Sequence, residues 1–442
     1  MNYISNTKEE QAEMLKTIGV SRVIDLFKDI PGKLILKEPL KIPEPMAEAD
    51  LQEHMIALSN KNKIFSTSFL GAGCYRHFTP SLVWHLIMRG EFLTSYTPYQ
   101  PEGSQGMLQA IYEFQTMISE LTGMDVANAS MYDGATALGE AGIMSTLIKK
   151  RDSLVVAKSV HPEYREVLHT YMDAFSKKIV EVEFTDMKTD VAALQEAVTE
   201  DTAAVMVQYP NFFGSIENLQ EIGKIAHEKG ALLIVAVNEA TCLGLLKSPG
   251  SLGAEIVIGD GHGYGNGLNL GGPSYGFMAT KEEYVRYLPG RLAGATVDTK
   301  GRKGFILTLQ AREQHIRREK ASSNICTNQA LCALASTIHL SLLGKEGVKE
   351  LGLLNYHKTA YAIKALKDAG IKAVNDSHYN EFVIKVKDSA AVIKALQEAD
   401  MEAGLDLSCL YPSLENHMLF CVTEMVKKED IDKMVSVVET CK

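Results

Sequence analysis

Three short segments of this 442-residue chain gather residue types that could do chemistry. The first is Glu255-Ile-Val-Ile-Gly-Asp260, an apolar run that reads as a short buried strand. It leads into Gly261-His-Gly-Tyr-Gly-Asn-Gly-Leu-Asn-Leu-Gly-Gly-Pro273, a loop dense in glycine that lets backbone approach a ligand closely. His262 stands in it as a candidate ligand, base or plain filler. No lysine occurs between Lys247 and Lys281, so the loop carries no primary amine able to form an imine with a carbonyl. The second segment, Met131-Tyr-Asp-Gly-Ala-Thr-Ala137, leads into a helix. Free N–H groups at a helix start suit a phosphate. A simple N-cap by Asp133 or Thr136, with Gly134 for the turn, accounts for the same pattern. In the third, the apolar strand Leu232-Leu-Ile-Val-Ala-Val237 ends in Asn238-Glu239. Adjacent residues of a strand face opposite ways, so only one of these two reaches a given side.

These residues need elements to position them, and the chain predicts an alternating set. Strands are expected at 153–160, 178–184, 203–208, 231–237, 255–259 and 275–279, with helices at 134–150, 162–174, 190–199 and 217–229 between them. Strands apolar on both faces and separated by helices imply an α/β fold with a mostly parallel sheet covered on both sides. Ligands of such sheets sit beyond the carboxyl ends of the strands. That rule collects Asp133, Gly134, Thr136, His161, Asn211, Asn238 and His262 around one crevice. Before the sheet, Met107, Ile111, Phe114, Ile118 and Leu121 form one apolar helical stripe that Gly123 stops. The expected organisation is an N-terminal helical arm and connector (1–65), a large sheet domain (66–325) and a smaller C-terminal α/β domain (326–442). Helices 328–343 and 347–370 open the last of these.

The formal charge of −10 argues against nucleic-acid or anionic-membrane partners. Residues 281–320 are the exception, with ten Lys or Arg against five acids. That window suits docking of an acidic partner, with Arg312 and Arg317 as carboxylate or phosphate clamps. The plainer reading is a solvated face with i,i+4 pairs such as Glu313 with Arg317. Seven scattered cysteines with no CxxC pair point to reduced thiols in the cytoplasm. The histidines form no HExxH or spaced ligand set, so no metal is expected. No apolar run approaches the length of a membrane span, and Met1 to Lys8 lacks the pattern of a secretory signal.

Five segments in order carry a resemblance. They are Ser68-Phe-Leu-Gly-Ala-Gly-Cys-Tyr75, Tyr96-Thr-Pro-Tyr-Gln-Pro-Glu102, Asn128 to Ala137, Gly271-Gly-Pro-Ser-Tyr-Gly276, and the block from Pro289-Gly-Arg-Leu-Ala-Gly-Ala-Thr-Val-Asp298 through Ile325-Cys-Thr-Asn-Gln-Ala330. With them the chain resembles the N-terminal (α, subunit 1) half of glycine dehydrogenase (decarboxylating), the P-protein of the glycine cleavage system. The resemblance implies a fold-type-I pyridoxal-phosphate (PLP) transferase-like body. In that fold a strand opening into a glycine-rich loop holds the Schiff-base lysine. It implies an α2β2 assembly in which only the β subunit carries PLP on lysine. That enzyme decarboxylates glycine, releases CO2 and passes the aminomethyl group to the lipoyl arm of the H-protein. The missing lysine is what an α chain should show, with His262 at the equivalent position and no cofactor held covalently. Asn238 departs from the aspartate that partners the pyridinium nitrogen, since an amide cannot compensate that charge. The α chain would then complete the wall of the partner's active site through Ser68, Gly71, Tyr75, Thr97, Tyr99, Gln100 and Glu102. The alternatives are an autonomous PLP enzyme, of cysteine-desulfurase or aminotransferase type, using an off-position lysine such as Lys247 or Lys281, and a non-catalytic scaffold.

Overall fold

The structure is a computed structural model that describes residues 5–321, 323, 325 and 328–441. Cys326 and Thr327, within the last block of the resemblance, lie outside the described residues, as do residues 1–4 of the N-terminus. The chain divides into two compact units at Ile64 and Phe65.

The first unit is helical. Lys8–Ile18 starts at a capping box in which the Thr7 hydroxyl accepts from the Glu10 N–H and the Glu10 carboxylate accepts from the Thr7 N–H. Gly19, left-handed at φ 85°, ends it. Residues 35–47 form no helix or strand, and Glu48–Ser59 follows.

The second unit is built on a seven-stranded sheet. Its strands are β1 (Val126–Ala127), β2 (Ser153–Ala157), β3 (Lys178–Val182), β4 (Thr202–Gln208), β5 (Leu232–Val237), β6 (Ile256–Asp260) and β7 (Gly276–Thr280). They lie in the order β1-β7-β6-β5-β4-β2-β3. The run from β6 to β3 is parallel, and β7 is antiparallel to both its neighbours. Every residue of β2, β4 and β5 is buried, which explains why these strands are apolar on both faces. The expected α/β architecture is therefore the observed one.

Helix Gly134–Lys149 crosses the sheet and packs on Pro162–Ala174. Small residues allow it: Gly139 lies against the Tyr171 ring and Gly142 against Leu168 and Leu154. The striped helix runs Gln105–Thr122 and ends at left-handed Gly123 (φ 69°). It buries Met107, Leu108 and Ile111 under a hairpin, Leu292–Val297 with Lys303–Thr308. The charge pattern did not predict this hairpin.

The two C-terminal helices expected from the sequence form one helical stretch, Ala330–Asp368, broken at Gly344 (φ 59°, ψ −176°). That backbone conformation belongs almost solely to glycine. A small antiparallel sheet follows, Glu381–Lys385 with His417–Cys421 and Leu405–Asp406, backed by Ser389–Glu398 and Lys428–Thr440. The early segment Thr67–Ser68 pairs in parallel with Met401–Glu402 and so belongs to this region of the unit. Among the described residues, no helix is long and apolar enough to cross a membrane.

Candidate functional site

The carboxyl ends of the parallel strands open on a crevice of about 350 Å³. Its lining includes His161, Asn238 and His262, three of the residues the sequence placed there. Asn238 reaches it from the end of β5 while Glu239 turns into the interior, as strand alternation requires. The lining contains no lysine among the described residues. Lys281 follows the end of β7 opposite the crevice, because Gly276 pairs with Asp260 and Thr280 with Ile256. It faces Glu255 at 3.4 Å. Lys247 is exposed and outside the lining.

His161 is fully committed. Its Nδ1 accepts from the Glu163 N–H at 3.2 Å, so the proton sits on Nε2, which donates to the Ala72 carbonyl at 3.0 Å. Burial lowers its pKa and keeps the ring neutral. His262 is buried and stacked on Tyr75, with ring centroids 5.7 Å apart and an 8° tilt. Burial also lowers its pKa, and its Nε2 has no hydrogen-bond partner among the described residues. Between His161 and Asn238 runs the early loop: a Cβ on Gly73 would lie 3.6 Å from both His161 Nε2 and Asn238 Nδ2.

At the helix start, Asp133 Oδ1 accepts from the Thr136 N–H at 2.7 Å and caps the helix. The Gly134 N–H donates to Asp260 Oδ1 at 3.1 Å, and the Tyr164 hydroxyl donates to Asp260 Oδ2. The helix start that could have cradled a phosphate thus holds a carboxylate of the same chain. Burial pushes the Asp260 carboxyl up to about 6, against the hydrogen bonds from Tyr164 and Gly134. Asn211 stands apart from the crevice lining. Its amide is saturated by Met187 O, Glu217 Oε1 and the N–H groups of Phe213 and Ser215, and it holds a buried turn.

Two side chains that the sequence did not single out, Glu381 and His77, fix the early loop. Glu381 accepts from the Ala72 N–H at 2.7 Å and from the Tyr75 hydroxyl at 2.9 Å. Gly71 passes so close that a Cβ there would collide with Glu381 Oε1 and lie 2.7 Å from Cys421 Cβ. His77 bridges two carboxylates, Nε2 to Glu239 and Nδ1 to Glu424, each at 2.8 Å.

Burial pushes the Glu381 carboxyl up to about 8. Its folded pKa exceeds the unfolded value, so its contribution is complete below about pH 4.5 and is lost as pH rises through about 8. Glu381→Gln removes the charge, while its Oε1 can still accept from the Ala72 N–H and its Nε2 can donate to the Tyr75 oxygen. Denaturant titrations should show the variant gaining on the native chain by roughly 2–4 kcal/mol between pH 5 and 9. A pH-independent difference would refute this assignment.

The loop residues divide between inside and outside. Ser68 donates to Glu402, and Tyr75 is buried, so the first loop is engaged within the chain. In the second loop Thr97 is half-buried, while Tyr99, Gln100 and Glu102 face outward. The Tyr99 ring is braced from behind by Arg291, whose Nη2 donates to its hydroxyl at 2.7 Å and whose guanidinium lies 5.2 Å from the ring centre. Arg291 is buried and faces Glu313 at 3.9 Å.

The pair expected between Glu313 and Arg317 does not form. Glu313 turns inward to Arg291 and to His315 at 3.5 Å, because it precedes the single helical turn Gln314–Arg317 in extended conformation and shares no helix face with Arg317. Arg312 donates to the backbone oxygens of Leu288 and Gly290, so its Nη groups are spent within the fold. Arg317 lines a separate basic cleft of about 810 Å³ with Arg286 and Lys320.

PLP needs an amine, a counter-charge for its ring nitrogen and an open phosphate seat. The crevice offers an imidazole, an amide and a carboxylate in those places, with the Gly73 backbone threaded between His161 and Asn238. The residues present do not fit the cofactor.

The model of the glycine cleavage system P-protein family matches residues 1–438. A probable glycine dehydrogenase (decarboxylating) subunit 1 from Desulfitobacterium hafniense is 53% identical over 441 residues, covering 99% of each chain. A crystal structure of glycine decarboxylase, the P-protein of the glycine cleavage system, in inhibitor-bound form superposes over all of both chains with TM-score 0.86 and 41% identity. Lactobacillus brevis glutamate decarboxylase, 13% identical with TM-score 0.68 over 93% of this chain and 96% of its own, shares the fold alone.

Proposed function

The chain belongs to the glycine cleavage system P-protein family, and from that premise we propose that it is the helper half of a two-chain glycine decarboxylase whose cofactor sits on the other chain. It has the fold of type-I PLP enzymes and is a glycine dehydrogenase (decarboxylating) subunit. PLP belongs to that enzyme. The finer reading is ours: a β subunit bearing the Schiff-base lysine, an α2β2 assembly, and a lipoylated H-protein that receives the aminomethyl group from glycine.

The observation that carries this reading is the crevice lining, which has no amine and keeps a carboxylate at its helix start. When bound on the partner, PLP supplies the electron sink for loss of CO2. This chain's part is to shape the wall beside it. Tyr99, Gln100 and Glu102 are the outward-facing candidates, and Ser68, Gly71, Tyr75 and Thr97 order the loops behind them. Loops on a rigid scaffold suit such a role. A cytoplasmic setting agrees with six described cysteines that are all free.

The test is reconstitution of glycine–bicarbonate exchange. The purified chain should be inactive and colourless, and exchange should appear only when a PLP-loaded β chain is added. A yellow chain bleached by borohydride would replace this reading with an autonomous enzyme. Exchange by the β chain that this chain does not raise would replace it with a scaffold.

A further inference from the structure

We infer that Asp260 is a built-in occupant of the anion seat at the start of helix Gly134–Lys149, so that the crevice rejects phosphate-bearing ligands as well as lacking a covalent anchor for one. The inference rests on the reading that the cofactor sits on the partner, and goes beyond it. Absence of the lysine removes only a covalent bond. A crevice with an open helix start would still attract a phosphomonoester, because unpaired N–H groups and the helix dipole favour an anion there.

Four observations argue against that route. The Gly134 N–H, which a phosphate oxygen would need, already donates to Asp260 Oδ1 at 3.1 Å. The second oxygen of the same carboxylate takes the Tyr164 hydroxyl, so Asp260 spans the seat as a two-oxygen anion. The space is filled as well: a Cβ on Gly134 would collide with Tyr164 Oη and lie 2.7 Å from Asp260 Oδ2. Two residues on, the Thr136 N–H is taken by Asp133. A phosphate arriving here would meet the occupied Gly134 and Thr136 donors and a like charge. Asp260 is held in place by its position as the last residue of β6, paired with Gly276 of β7.

The seat can be reopened. In Asp260→Ser the carboxylate is gone and a small hydroxyl remains. Thermal unfolding of the full chain in inorganic phosphate, at ionic strength held constant with chloride, reads occupancy directly. The native chain sets the baseline, which includes any phosphate held in the basic cleft of Arg286, Arg317 and Lys320. Asp260→Ser should show a further saturable rise in Tm, on the order of 2 °C at saturation. Tyr164→Phe, which keeps the carboxylate, should behave like the native chain. A rise in Tyr164→Phe equal to that of Asp260→Ser, or no rise beyond the native chain in a folded Asp260→Ser, would each overturn the inference. If Asp260→Ser does not fold, Asp260→Ala replaces it, since it removes the carboxylate and frees the Gly134 N–H, and absence of any further rise there overturns the inference too. This readout needs no partner chain, so a failure of reconstituted exchange leaves it untouched, and the converse holds.

Discussion

Replacing His77 with alanine is expected to remove about 3–5 kcal/mol of folding stability, as for one member of a buried charge network. His77 is the bridge between Glu239 and Glu424, and all three side chains are largely out of water. Burial pulls its pKa down, but the two carboxylates outweigh burial and hold it at about 10. Burial likewise opposes the Glu239 charge, and His77 overcomes it to hold that carboxyl at about 2. In His77→Ala, two carboxylates keep their burial and lose their cation. Adding Glu239→Gln and Glu424→Gln to the same chain should recover a substantial part of the loss. The pH dependence has a definite sign. The stabilisation through His77 is complete below about pH 6.5 and lost as pH rises through about 10. The part through Glu239 is complete above about pH 4.5 and lost as pH falls through about 2. Urea midpoints measured at pH 2, pH 6 and pH 10 check both claims. A loss below about 1 kcal/mol at pH 6 would refute the bridge as a stabilising element.

Arg291→Leu should separate stability from function. Leucine removes the brace behind Tyr99 and leaves Glu313 buried opposite an apolar side chain. The expected cost is about 3 kcal/mol, the lower end for breaking a buried pair. Neither Arg291 Nε nor Glu313 Oε1 has a hydrogen-bond partner among the described residues, so the pair is loosely made. Misplacing a wall group by about 1 Å can slow a reaction by about 100-fold. Exchange with saturating β chain should therefore fall by roughly 10- to 100-fold. Adding Glu313→Gln removes the stranded charge and should restore much of the stability without restoring exchange. If exchange returns along with stability, Tyr99 has no role in the partner's site.

The centre of the sheet was legible because strands β2, β4 and β5 are buried on both faces and read as apolar blocks. The crevice was legible as a place, since His161, Asn238 and His262 follow strand ends. What closes it was not. Asp260 is the last residue of a strand whose apolar pattern draws attention away from it, and its partners Gly134 and Tyr164 are 126 and 96 residues distant. The His77 bridge joins residues 162 and 347 apart, and no local pattern encodes such a pairing. The hairpin Leu292–Val297 with Lys303–Thr308 was hidden for another reason. Its first strand carries small residues in place of clear alternation, and it stands on Gln105 and Gln115, whose side-chain amides bond its backbone. Asn211 has the composition of a binding residue, and in the fold it serves a turn.

The supports of the early loop have a consequence for how the chain is made. Glu381, Glu402 and Glu424 hold residues 68–78 across more than 300 positions of sequence. A ribosome must release nearly the whole polypeptide before that loop has anything to rest on, and closures of such span order late. The parallel strands can assemble earlier, leaving Tyr75 and Phe69 uncovered on the nascent chain until the last strand, His417–Cys421, has emerged.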